Sequence, residues 1–189
     1  MPIGFIFLVI TTIYILFYMK SKFKWILIPI LFLFMLGYFV SPFVLDRVSI
    51  NILFTIAAIS VFVYSCMAIS CKKYFLLIIM SLMVVLVYVL VVSRNSDYIT
   101  SIYQAPIMII VFLANLIFLF DFKSVMFLNS LSFLLLSIAN LFVESGLGFI
   151  NFASVDLCNA IIIVTIGFYV FNLFISKLIK SMEMHIWKK

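Results

Sequence analysis

Residues 74–92 read YFLLIIMSLMVVLVYVLVV, nineteen positions without a charge, bracketed by Lys72 and Lys73 on one side and Arg94 on the other. As a helix rising 1.5 Å per residue the run is about 29 Å long, which matches the roughly 30 Å hydrocarbon core of a bilayer. Its apolar character is unbroken, whereas a strand of a membrane barrel alternates apolar and polar residues over about ten positions. The reading is therefore a transmembrane helix, in which every backbone polar group is satisfied within the segment.

Working outward from this run, the same cut at charges, Pro/Gly and polar clusters yields six more segments, 3–19, 25–44, 52–71, 104–120, 125–143 and 153–175. The expected fold class is an all-α integral membrane protein, a bundle of seven transmembrane helices over residues 1–175 with short loops. The longest connection is 93–103, so neighbouring helices are expected to run antiparallel. Over all 189 residues, 68% are hydrophobic, 18% aromatic and 10% charged. An ordinary soluble domain is about half apolar and a quarter charged, so a water-soluble fold is excluded.

The first segment is short enough to resemble a secretion signal, but a signal carries its basic residues before the apolar core. Here Lys20, Lys22 and Lys24 follow it. The expectation is an uncleaved helix.

With seven spans, ten lysines (Lys20, Lys22, Lys24, Lys72, Lys73, Lys123, Lys177, Lys180, Lys188 and Lys189) fall on one side, and Arg47 and Arg94 on the other. Basic residues mark the cytoplasmic side of short loops. The N-terminus is thus expected outside and the C-terminus in the cytoplasm of a multi-pass cell-membrane protein. Asp46, Asp97, Glu144 and Asp156 then fall on or near the outer face. The pI of 9.3 follows from lysines placed beside anionic lipid at the inner face, and nucleic acid is not an expected partner. The basic tail, 176–189, alternates Leu178, Ile179, Met182, Ile186 and Trp187 with lysines, as interfacial amphipathic helices do; it either anchors to the membrane or docks a membrane-protein partner.

Ionisable groups inside a membrane are candidate functional sites. Asp156 lies one turn into the last segment, Asn159 follows on nearly the same face, and Asn140 of the sixth segment reaches a similar depth. Asp156, Asn159 and Asn140 are the candidate ligand-binding residues, lining a small polar pocket that opens outward. Two other roles stay open: Asp156 as a helix N-cap, or an interhelical hydrogen bond. At 100° per residue, Thr165, Tyr169 and Asn172 fall opposite Asp156 and Asn159, which argues against a continuous water-filled channel along this helix. Asn129, Ser137 and Asn140 share a sector with Phe133, expected to be a hydrogen-bonded packing seam. Ala57, Ser60, Tyr64 and Ala68 form a small-residue face on the third segment.

Cys66, Cys71 and Cys158 form no CxxC pair, and His185 has no partner at ligand spacing, so neither a metal nor another cofactor is expected. No hydrolase, protease or nucleotide-binding motif is present, and the chain is not expected to be an enzyme. Paired halves of the kind found in secondary transporters are not evident.

The stretch Ser41-Pro42-Phe43-Val44-Leu45, together with Asp156 in the last segment, resembles the YphA-type membrane proteins of Gram-positive bacteria. That resemblance covers the chain in size and topology and implies a bacterial cell membrane, without implying a mechanism. Two functions are expected from the residues: a non-catalytic scaffold or accessory subunit of an envelope complex, or a small-solute binding or transport module built around Asp156.

Overall fold

The computed structural model describes residues 3–18, 20, 24–45, 48–94, 104–117, 121–143 and 150–186. Their elements in chain order are α1 (Ile3–Tyr18), α2 (Lys24–Gly37), β1 (Phe43–Leu45), β2 (Val48–Ile50), α3 (Ile52–Ala68), α4 (Cys71–Arg94), α5 (Gln104–Leu116), α6 (Phe122–Val143), β3 (Ile150–Phe152) and α7 (Val155–Ile186).

The expected bundle of seven transmembrane helices is overturned. Among the described residues three helices are long and apolar enough to cross a membrane, over Lys72–Leu90, Phe122–Leu141 and Val155–Ile179. The other four, α1, α2, α3 and α5, have 16, 14, 17 and 13 residues, or about 20 to 26 Å against a core of roughly 30 Å. The orientation with the N-terminus outside, which was counted on seven spans, goes with that bundle.

The cause is clearest at 25–44. The helix stops at Gly37, and the amides of Tyr38, Phe39 and Val40 fold back onto the carbonyls of Met35 and Leu36 at 3.0–3.2 Å. Ser41 precedes Pro42, and a residue before proline is pushed out of helical conformation. The apolar residues that remain, Phe43–Leu45, pair as a strand. β1 runs antiparallel to β2, with Phe43 opposite Ile50, and β2 runs parallel to β3, with Val48 opposite Ile150. This small sheet, which the composition did not announce, ties the α2–α3 connection to the start of α7.

Asn51 is the knot of that end. It is buried, caps α3 by accepting from the Phe54 amide (3.2 Å), and donates to the Gly37 carbonyl (2.9 Å). Its own amide donates to the Phe152 carbonyl (3.3 Å). Replacement of Asn51 by Leu leaves a buried amide and a carbonyl without their partners and is expected to cost about 2 to 3 kcal/mol. A thermal-unfolding midpoint unchanged from that of the parent would contradict this role.

α1, α2, α3, α6 and α7 close into a ring, each packed on the next, with α7 returning to α1; α4 lies outside on α6, and α5 on α7. α6 is the axle. Its Phe127 packs between Phe62 of α3 and Tyr74 of α4, with ring centroids 5.1 and 5.6 Å away. Phe168 of α7 meets Phe112 of α5 at 6.0 Å.

The exterior of the molecule is inverted relative to a soluble protein, and several polar side chains join the apolar core. Asn115, Ser124, Asn129, Ser132, Ser137 and Asn140 are buried, while Phe17, Trp25, Met67, Phe75 and Phe174 are at least 60% exposed. An apolar exterior on this scale is rare on soluble monomers.

Candidate functional site: a groove at the lysine end

The helices run between two ends. At the sheet end Tyr38 follows α2, donates to Asn159 Oδ1 of α7 (2.6 Å) and packs edge-on against Phe5 of α1 at 5.8 Å. At the opposite end Lys73 of α4 pairs with Asp121, and the Tyr74 hydroxyl donates to the Cys66 carbonyl where α3 turns into α4. Asp121 caps α6, accepting from the Ser124 amide (3.3 Å) and hydroxyl (2.8 Å). Partial burial by itself would raise the Asp121 carboxyl; the hydrogen bonds from Lys73 and Ser124 outweigh it and hold it below its ordinary value.

A depressed carboxyl stabilises the fold above its unfolded pKa, near 3.9, and that contribution is lost as pH falls through the lower folded value. Asp121→Asn is therefore expected to flatten the acid limb of the stability curve, by no more than about 1 kcal/mol because solvent screens the pair. An acid limb that is the same in the parent and in Asp121→Asn would remove Asp121 from this role.

The three residues expected to form an outward polar pocket are separated. Asn140 Oδ1 accepts from the Tyr88 hydroxyl of α4 at 2.7 Å, whereas Asn159 Oδ1 is taken by Tyr38. Asp156 is exposed in the first turn of α7. The cap of that helix is Ser154, whose hydroxyl accepts from the Leu157 amide at 3.2 Å, so Asp156 contributes charge to the positive end of the helix dipole. Ala153, at φ 54°, makes the turn out of β3. None of the three residues lines either cavity described next.

A concavity lies inside the helix ring. A groove of about 1310 Å³ opens at the lysine end between α1, α2, α3, α6 and α7. Tyr14, Tyr64, Lys123 and Tyr169 line it, and the Tyr14 and Tyr169 side chains hydrogen-bond each other. A deeper chamber of about 170 Å³ shares the lining residues Thr11, Ile15, Leu27, Met126, Thr165 and Ile166, and reaches Leu8, Phe34 and Cys158. Its walls are almost wholly apolar.

Among its polar lining residues Asn129 stands out. Its Nδ2 donates to Thr165 Oγ (2.7 Å), and Thr165 in turn donates to the Ile161 carbonyl. Asn129 Oδ1 is buried without a partner, on a residue that is 2% exposed and lines the chamber. Such an acceptor costs roughly 1 to 3 kcal/mol. Asn115 and the Ser132 hydroxyl also carry buried polar atoms without partners, but they line neither cavity.

Sequence reasoning placed Asn129 in an inward sector and Thr165 and Tyr169 on a shared face of the last segment. It missed that these two faces meet. Tyr38 and Asn51 were missed as well, because Asn159 and Phe152, which they bond, lie far away in sequence. Among the described residues no three His, Cys, Asp or Glu side chains gather as a metal site.

Comparison with protein-family models, with curated proteins and with solved structures finds no match to this chain.

Proposed function

We propose that the chain is a non-catalytic, multi-pass protein of a bacterial cell membrane that binds an apolar small molecule in the groove between α1, α2, α3, α6 and α7. The observation that carries this reading is the continuity of a wide groove with a narrower apolar chamber inside the ring. Cavities of this kind, mostly apolar with a few polar groups, are the usual form of ligand sites. The inverted exterior supports membrane residence. α4, α6 and α7 are the crossing helices in this reading, and the lysines gathered at one end associate with anionic lipid. The alternative of a scaffold or accessory subunit gains no specific observation, because lipid alone accounts for the outward apolar faces.

The reading is tested by titrating decanol, a neutral alkyl probe, into the protein held in phosphatidylcholine nanodiscs, with empty discs subtracted. One saturable site is expected. Ile15→Trp, which places a large ring in the lining common to groove and chamber, is expected to abolish that site without loss of helical content. Unsaturable uptake, or uptake unchanged by Ile15→Trp, would sink the proposal.

A further inference from the structure

We propose that the groove takes a single-chain carboxylate amphiphile of the fatty-acid class. Its head pairs with Lys123 at the mouth, its tail lies between α1, α2, α6 and α7, and a hydroxyl on that tail donates to Asn129 Oδ1. This deepens the binding reading above and rests on it.

Charge sets the head. Among the described residues that line the groove Lys123 is the one charged side chain, and it is exposed. The nearby carboxylate of Asp121 is already engaged by Lys73 and Ser124, so Lys123 keeps its positive charge available. Lys24 begins α2, whose Ile26 and Leu27 also line the groove, and adds to the positive potential at this end. A carboxylate is the complement, and a charge-assisted bond is stronger than a neutral one.

Volume sets the number of chains that enter the chamber. The chamber, at about 170 Å³, is close to the roughly 150 Å³ apolar cavity that holds one benzene. It admits one alkyl chain and leaves no room for a second beside it.

Depth sets the position of the hydroxyl. Along α6, Lys123, Met126, Asn129 and Phe133 descend the lining from mouth to chamber, about 15 Å from first to last. Asn129 lies about 9 Å below Lys123 on that scale. Its Nδ2 is spent on Thr165, and its Oδ1 is left as a buried acceptor without a partner on a residue that lines the chamber. Thr165 and Ser130, two other polar lining residues of the chamber, give their hydroxyl protons to the carbonyls of Ile161 and Phe127. A hydroxyl on the occupant is the donor that completes Asn129.

The experiment compares decanoate, decanol, decylammonium and ω-hydroxydecanoate by titration in phosphatidylcholine nanodiscs, for the parent protein, Lys123→Gln and Asn129→Leu. Decanoate is expected to bind about tenfold tighter than decanol, the size of effect one charged pair gives, and decylammonium more weakly than either. Lys123→Gln is expected to bring decanoate down to the level of decanol. The ω-hydroxyl is expected to improve binding about fivefold in the parent and not at all in Asn129→Leu. Lys123 is exposed, so its variant keeps the fold; circular dichroism checks both.

Equal binding of the three head groups, or decanoate unaffected by Lys123→Gln, overturns the carboxylate assignment while leaving the binding groove standing. Absence of the hydroxyl gain in the parent overturns the role of Asn129. No saturable binding by any of the probes removes the groove reading itself.

Discussion

Gly37→Ala is expected to destabilise the protein by about 3 kcal/mol, enough to lower its yield from membranes several-fold. A Cβ on Gly37 would sit 2.4 and 2.5 Å from Cε1 and Cδ1 of Phe54. Phe54 cannot yield, because it is fully buried and its ring packs against those of Tyr38 (5.1 Å) and Phe34 (6.3 Å). Any shift of the α2 end also pulls the Gly37 carbonyl off Asn51. Gly167→Ala is the control: a Cβ there meets nothing within 4 Å, and alanine in a helix interior is favoured over glycine by up to about 1 kcal/mol. Thermal unfolding of both variants in one detergent checks the contrast, and equal midpoints would refute it.

Gly4→Ala is expected to cost about 2 to 3 kcal/mol at the same end of the molecule. Its Cβ would lie 2.4 Å from Asn159 Oδ1 and 2.7 Å from the Tyr38 hydroxyl, the two atoms of the bond that joins α2 to α7. The clash and the lost bond act together, so the penalty is expected to shrink when Asn159 is already alanine. A double-mutant cycle measures this coupling. Strict additivity of Gly4→Ala and Asn159→Ala would show that α1 does not press on that pair.

How much of this was legible in the sequence follows from distance along the chain. The long apolar runs at 74–92 and 125–143 fall within α4 and α6, and 153–175 falls within α7 from Val155 on, the three helices that are long and apolar enough to cross a membrane, because hydropathy over about twenty residues is a local property. The stretch 25–44 misled because Phe43, Val44 and Leu45 are as apolar as the helix before them, and hydropathy alone does not separate a short strand from a helix end. What makes them a strand is pairing with β2, which in turn pairs with residues 150–152.

The site shows the same division. Asn129 and Thr165 each lie on a face that a helical wheel identifies, yet they are 36 positions apart and meet only because α6 packs on α7. Asp156 stood out as a charge in an apolar run; the sheet end explains it as a first-turn residue beside the Ser154 cap. The groove itself is a property of five helices closing a ring, and no single segment carries its signature.

The most direct test of the central claim is photolabelling in nanodiscs with an aliphatic diazirine, followed by mapping of the adducts. The account predicts adducts on Met126, Thr165 and Ile166 of the groove that disappear with excess decanol, beside unprotected labelling of outward residues such as Phe75 and Leu82. Adducts confined to the outward faces, with none protected by decanol, would contradict it.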